Sequence, residues 1–238
     1  MLINLTDYIK ERAYPGRGIF IGTAPDGESG FIVYFIMGRS ENSRNRIFVQ
    51  EPDGTIKTRA FDPAKLSDPT LVIYNAVRYD YDWQTAAVMN GAQTDAVFNH
   101  GGFMSHTLSK WDYEPDDLCT PRISSLIFPD EFAMSILKAS NGAGSKSVRY
   151  YFNYPRIAGE GRFISTYDGS AAAPKAFSGE PLRVSVATND LNELAGGIWN
   201  SLDADNKISL YAAKMPLGGS QWNSDTVSTL IKNRHQPK

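Results

Sequence analysis

Two Pro-Asp-Gly turns set the first constraint on this chain. Pro25-Asp26-Gly27 separates Gly18-Ile19-Phe20-Ile21-Gly22-Thr23 from Phe31-Ile32-Val33-Tyr34-Phe35-Ile36-Met37, and Pro52-Asp53-Gly54 separates Arg46-Ile47-Phe48-Val49-Gln50 from Thr55-Ile56-Lys57-Thr58-Arg59. Proline presets φ and glycine accepts positive φ, so each triplet can reverse the chain between two runs rich in β-branched and aromatic residues. The pattern predicts two β-hairpins in succession.

Strand signals continue beyond them. Leu71-Val72-Ile73-Tyr74 and Ala86-Ala87-Val88-Met89 predict short buried strands that each end at a polar cluster. Ile123 to Phe128 and Glu131 to Leu137 predict a pair around Pro129-Asp130, and Ser147 to Phe152, Gly161 to Tyr167 and Lys207 to Ala213 predict further strands. Between Asp95 and Trp111 a helix broken at Gly101-Gly102 is expected, and a Gly/Ala/Pro-rich loop is expected from Asp168 to Pro174. Asp190 as N-cap ahead of Leu191, Leu194 and Ile198 predicts a helix to Asn200, and Val227, Leu230 and Ile231 predict a second over Asp225 to Lys232. No repeat, low-complexity block or long linker interrupts the 238 residues. One α+β domain over residues 1–238, many strands covered by a few helices, is expected.

With 42% hydrophobic and 21% charged residues the balance is that of a soluble globular protein. A formal net charge of -2 argues against a nucleic-acid partner, whose backbone demands an excess of Lys and Arg. The single cysteine, Cys119, excludes an internal disulfide and a Cys-rich zinc site and fits a reducing compartment. Met1 to Tyr8 does not read as a signal peptide and no run approaches the roughly 20 apolar residues of a membrane span, so a cytoplasmic protein with no membrane partner is expected.

Four polar clusters carry the chemistry: Tyr74-Asn75-Ala76-Val77-Arg78, Asn90-Gly91-Ala92-Gln93-Thr94-Asp95, Asp112-Tyr113-Glu114 and Thr120-Pro121-Arg122. Guanidinium, phenol, carboxylate and amide groups beside turn residues suit recognition of an anionic, hydrogen-bond-rich small molecule. Taken singly the residues have plainer readings. Tyr74 is equally a strand aromatic, and Asn90-Gly91 a hairpin turn. Asp112, Asp116 and Asp117 read as a solvated acidic patch without the His partners a metal needs, and His100 and His106 as loop residues. Tyr79, Tyr81 and Trp83 read as core or as an oligomer interface.

Taken in order, Tyr14-Pro15-Gly16-Arg17-Gly18, Gly38-Arg39-Ser40 with Arg44 and Arg46, and the four clusters resemble the archaeal-type inosine-monophosphate (IMP) cyclohydrolase family over about the first half of the chain. The chain departs from that pattern at Gln93, where the family carries histidine, and across Arg39 to Arg46, so that Arg44 and Arg46 both stand as the site arginine.

The resemblance implies a four-layer αββα sandwich like that of the N-terminal-nucleophile hydrolases. It implies ring closure of 5-formamidoimidazole-4-carboxamide ribotide (FAICAR) to IMP, the last step of purine synthesis, by a homo-oligomer with no cofactor and no metal. Met1-Leu2 offers no Ser, Thr or Cys nucleophile, so non-covalent chemistry is expected. Tyr74, Glu114 and Arg44 or Arg46 are then the catalytic candidates: a protonated phenol to donate at the formyl group, a carboxylate base and a cation. Arg17, Arg39, Asn75, Arg78, Asn90, Gly91, Thr94, Asp95 and Arg122 are the substrate-binding candidates, the arginines for the 5′-phosphate, the amides and Thr94 for ribose or carboxamide, and Gly91 for close backbone approach to the ligand. The Gln93 departure motivates a second reading, a non-catalytic purine-nucleotide-binding regulator on the same fold.

Overall fold

The computed structural model describes residues 2–169, 173–219 and 221–235. Along the chain, α1 (Leu5–Lys10) precedes the hairpin of β1 (Arg17–Thr23) and β2 (Ser29–Met37), then α2 (Glu41–Arg44) and a second hairpin of β3 (Arg46–Gln50) and β4 (Ile56–Ala60). There follow β5 (Asn75–Asp80), β6 (Thr85–Met89), α3 (Gln93–Asn99), α4 (Met104–Leu108), β7 (Arg122–Ile127), β8 (Glu131–Ala139) and β9 (Ser147–Pro155). The rest forms β10 (Glu160–Ser165), the short pair β11 (Tyr167–Asp168) and β12 (Lys175–Ala176), β13 (Leu182–Ser185), α5 (Leu191–Ser201), β14 (Lys207–Pro216) and β15 (Ser228–Asn233). The class is α+β.

Two antiparallel sheets organise these elements. The first has six strands in the order β13-β10-β1-β2-β14-β15, and the second is a seven-stranded meander from β3 to β9. Residues of β2 are buried on both faces, and their alternation decides which neighbour each meets. Ile32, Tyr34 and Ile36 pack with Phe48, Val77, Val88, Ile123 and Met134 of the second sheet. Phe31, Val33, Phe35 and Met37 pack instead with Leu5 and Ile9 of α1 and Leu191, Ala195 and Ile198 of α5. On the far side of the second sheet, Ala87, Met89 and Leu126 pack with Val97 of α3 and Met104 and Leu108 of α4. Period-two patterning thus explains why β1 and β2 read as continuous apolar runs in sequence.

Asp190 caps α5 as expected, accepting from the Glu193 amide. The helical stretch broken at Gly101-Gly102 resolves into α3 and α4. Other expectations are corrected. Asp225 to Lys232 is not a helix: β15 pairs along β14, with Leu230 opposite Ala212 and Ile231 opposite Tyr211. Leu230 packs toward the helices and Ile231 toward the sheet interface, so their adjacency reflects a strand with two occupied faces and not a helical stripe. Leu71 to Tyr74 is not a strand, because the Val72 and Ile73 amides both bond back to the Pro69 carbonyl and β5 starts only at Asn75. Tyr79 is core, bonded to Tyr211 at 2.7 Å, whereas Trp83 is 80% exposed in the β5–β6 turn. Within the loop expected from Asp168 to Pro174, residues 170–172 lie outside the described residues.

One irregularity decides which face the first cluster presents. Ile56 of β4 pairs with Val77 but its neighbour Lys57 pairs with Asn75, leaving Ala76 as the extra residue of a β-bulge. Three residues apart on a regular strand, Asn75 and Arg78 would face opposite sides. The bulge puts both on the outer face of the second sheet, where both reach Asp95 of α3. Tyr74 projects into the sheet interface.

Candidate active site

The residues around a cavity of about 580 Å³ come from five separate segments. Arg17 begins β1, and Gly16 before it takes φ 77° with its α-carbon pressed against Thr166 and Tyr167, where an added Cβ would lie 2.4 Å from Thr166 Oγ1. Only glycine accepts both the conformation and the contact. Arg17 donates through Nη2 toward Glu114 Oε2 at 3.1 Å, and Glu114 is 1% exposed. Asn90 Nδ2 approaches the other carboxylate oxygen, Oε1, at 3.2 Å. Burial pushes the Glu114 carboxyl above its ordinary range against the pull of Arg17, Arg122 and Arg46. For Arg17 the burial cost is outweighed by Glu114 and three nearby phenols, and the guanidinium is held well above its ordinary range.

Arg46, at the start of β3, is buried and donates through Nε to the Ser43 carbonyl at 2.7 Å. Its Nη1 and the Nε of Arg17 are buried without an acceptor. Unmet guanidinium N–H groups beside a cavity are costly unless a ligand oxygen or nitrogen satisfies them. The hydroxyls of Tyr34 and Tyr74 meet at 2.8 Å, and both phenols interact electrostatically with Arg17 and Arg46. Burial, reinforced by Tyr74, pushes Tyr34 well above the usual phenol range. Tyr14 stacks on Tyr167 at 5.9 Å between centroids, and Arg39 lies over the Tyr14 ring at 4.8 Å. Tyr167 shares a hydrogen bond with Thr120, whose hydroxyl also reaches Asp116, and burial pushes Tyr167 up to about 12.

The model of the IMP cyclohydrolase-like protein family matches residues 14–218. The chain belongs to this family. Among archaeal relatives named IMP cyclohydrolase, that of Methanococcus maripaludis strain S2 is 29% identical over 135 residues, covering 54% of this chain and 65% of the relative. That of Natronomonas pharaonis is 26% identical over 194 residues, covering 79% of this chain and 85% of the relative. The Methanocaldococcus jannaschii protein is 29% identical over 126 residues, covering 51% and 60%. The match to the M. maripaludis S2 relative therefore spans just under two thirds of that protein's length.

In this IMP cyclohydrolase-like chain the residues singled out from sequence divide into three groups. Arg17, Arg39, Arg46 and Glu114 line the cavity. Asn90, Arg122 and Tyr74 do not line it but bear on residues that do: Asn90 bonds Glu114, Arg122 reaches it through Gln93 and Asn90, and Tyr74 stands in the field of Arg17 and Arg46. The rest lie elsewhere. Arg44 turns away to the Gly38 carbonyl and Asn206, joining α2 to the approach of β14. Asn75, Arg78 and Asp95 form the outer-face cluster. Thr94 bonds the Gly91 carbonyl at the start of α3. Gly91 makes room for neighbours within the fold: an added Cβ would lie 2.6 Å from Gln93 Oε1 and 2.7 Å from Arg122 Nη1.

Tyr34, Tyr14, Tyr167, Thr120 and Asp116 were not among the sequence candidates. Thr120 and Tyr14 stood in motifs already singled out but were given no role, and Asp116 and Asp117, read as part of a solvated acidic patch, line the cavity. Tyr34 had a local signal of its own, a single hydroxyl inside the otherwise apolar run Phe31 to Met37. A buried phenol needs a partner, so that hydroxyl announces a polar contact within the core.

Proposed function

We propose that this chain closes the six-membered ring of FAICAR to give IMP and water. The observation that carries the reading is the Glu114 carboxylate, buried at the cavity wall, flanked by Arg17 and Asn90 donors and pushed by burial above its ordinary range, the direction that suits a base. The reaction is intramolecular, and a cavity of about 580 Å³ is of the size that encloses and orients a nucleotide. As the carboxamide nitrogen bonds to the formyl carbon, Glu114 accepts a proton from that nitrogen and the formyl oxygen gains one. The carbinolamine then loses its hydroxyl as water together with the formamide N–H proton, leaving the C=N bond of the purine. The unpartnered N–H groups of Arg17 and Arg46, which line the cavity, are the donors we assign to the developing charge on the formyl oxygen, and the Tyr34–Tyr74 hydroxyl pair acts on that charge through the two guanidiniums. Arg39, with Ser40, Asn42 and Ser43 around the same cavity, is assigned to the 5′-phosphate.

The wider reading is a single domain over residues 1–238 in which α1 with α5, the two sheets, and α3 with α4 form a four-layer αββα sandwich of the N-terminal-nucleophile-hydrolase kind, acting as a cytoplasmic homo-oligomer. Three separate apolar clusters at successive interfaces support the layering, and no helix among the described residues is long and apolar enough to cross a membrane.

The test is ultraviolet detection of IMP formed from FAICAR by the wild type and by Glu114→Gln. Turnover by the first and its loss in the second support the assignment. Tight nucleotide binding by calorimetry with no wild-type turnover would replace it with the binding-regulator reading.

A further inference from the structure

Gln93 lines no part of the cavity, yet it is 0% exposed and both ends of its amide are used. Its Nε2 donates to Asn90 Oδ1 at 3.1 Å, and its Oε1 accepts from Arg122 Nη1 at 2.9 Å. The direction of this relay is dictated by partners that cannot exchange roles. The Ile123 amide can only donate, and it meets Asn90 Oδ1 at 2.7 Å. The Pro121 carbonyl can only accept, and it meets Asn90 Nδ2 at 2.9 Å. A guanidinium likewise only donates, so Gln93 must present oxygen to Arg122 and nitrogen to Asn90. It follows that the Asn90 amide turns its second N–H toward Glu114 and cannot flip. The Gly91 backbone sits directly against the Gln93–Arg122 bond, leaving no space for a side chain there. All four of the hydrogen bonds available to the Asn90 amide are therefore committed, and one of them points at the carboxylate.

We propose that Gln93 is a positioning residue for the Glu114 base: through Asn90 it holds a donor against Glu114 Oε1, and through Oε1 it anchors Arg122 at the far end of the same relay. The inference rests on reading Glu114 as the base of the cyclohydrolase reaction. The charged groups that bear on Glu114 are Arg17 from β1, Arg46 from β3, Arg122 from β7 and Asp116 from its own loop. Gln93 is neutral, so its removal alters the carboxylate through hydrogen bonding to Asn90 and the placement of Arg122. The Ile123 amide and Pro121 carbonyl still orient Asn90 when Gln93 is cut, so the change reaches Glu114 through the loss of one of the two donors that hold Asn90 Oδ1 and through Arg122, whose charge favours the ionised carboxylate less once its anchor is gone. The Glu114 titration therefore moves to higher pH when the relay is cut.

Two variants test this. Gln93→Met keeps the length and removes both polar ends, and Gln93→Leu removes them in a shorter side chain, so it guards against a failure of the first variant to fold, while neither adds a charge beside Glu114. The direct readout is the infrared carboxyl band of Glu114 followed against pH and assigned by its absence in Glu114→Gln, which needs no turnover. The expected result is a band that titrates at higher pH in either folded variant, kcat lower by about tenfold or more, the acidic limb of kcat/KM displaced upward, and KM within about twofold of wild type because Gln93 touches no part of the cavity. A Glu114 titration unchanged in both variants overturns the proposal, whatever happens to kcat. A shifted titration in a wild-type protein background that turns over no FAICAR keeps the positioning role and removes the cyclohydrolase reading.

Discussion

Tyr74 and Asn75 are neighbours in sequence and belong to two different polar centres. Inside the sheet interface, Tyr74 joins Tyr34 beside Arg17, Arg46 and Glu114, where the carboxylate of the Arg17 pair is 1% exposed. On the outer face, Asn75 and Arg78 meet Asp95, whose side chain is 39% exposed. Both centres hold an arginine, a carboxylate and an amide. They differ in solvent, and that difference sets what each can do. Water screens the outer ion pair and relieves any imperfect partner, so its contribution is small. The inner pair has no such relief, so its geometry and protonation are coupled to whatever occupies the cavity.

The sharpest way to break this contrast is by turnover. Glu114→Gln is expected to lower kcat about 10²- to 10⁴-fold, the span of a lost general base, and Asp95→Asn to stay within about twofold in the same ultraviolet assay. Equal losses would mean that the outer face takes part in the chemistry. Stability should separate the centres next. Arg17→Met leaves Glu114 buried without its cation and is expected to cost about 3–5 kcal/mol in urea unfolding, while Arg78→Met should cost about 1 kcal/mol or less. Adding Glu114→Gln to Arg17→Met should recover much of the first loss, and no recovery would show that Arg17 acts through packing alone.

The pH dependence sharpens the comparison further. Burial raises the folded-state pKa of Glu114 above the ordinary 4.5. The unfolded chain therefore releases this proton first, and stability is lost as pH climbs from the unfolded toward the folded value, then levels off. Relative to Glu114→Gln, the wild type should lose stability across that interval. A difference independent of pH between 4 and 8, on the order of the range such shifts span, would contradict a raised carboxyl.

The smallest expected effect compares two tyrosine pairs within one core. Tyr34–Tyr74 and Tyr79–Tyr211 have hydroxyl separations of 2.8 and 2.7 Å, but only the first faces arginines. Tyr74→Phe and Tyr79→Phe should each cost about 1 kcal/mol of stability, the net value of a buried hydrogen bond. Only Tyr74→Phe should also reduce kcat, and a matching activity loss in Tyr79→Phe would remove any special role for the first pair.

Much of the fold was legible because its signals are local. The two Pro-Asp-Gly turns join β1 to β2 and β3 to β4 as expected, and Asp190 caps α5. The errors arose where local pattern and tertiary surroundings disagree. Leu230 and Ile231 look helical by spacing, but the open edge of β14 and two apolar faces make β15 a strand. At the site, Arg17, Arg39, Arg46 and Glu114 were legible as residue types suited to an anionic ligand, and they do surround one cavity. Arg44 and Arg46 were indistinguishable in sequence. Their separation depends on α2 ending at Arg44, which sends one side chain to Asn206 and the other into the interior. Arg78 and Asp95 could not be told from cavity residues either, because the bulge at Ala76 that turns Asn75 outward is visible only in the pairing with β4.

By itself the sequence determined the hairpins, the strand-rich class, the family resemblance and the set of polar residues from which a site could be drawn, since each is carried by residue types and short spacings. Tertiary structure alone decided which of those residues share a cavity. The Tyr34–Tyr74, Arg17–Glu114 and Thr120–Tyr167 contacts bring together segments far apart in the chain. Burial between the layers, which no short stretch of sequence encodes, is what converts an ordinary carboxylate and an ordinary arginine into a buried pair in which each shifts the ionisation of the other through its field.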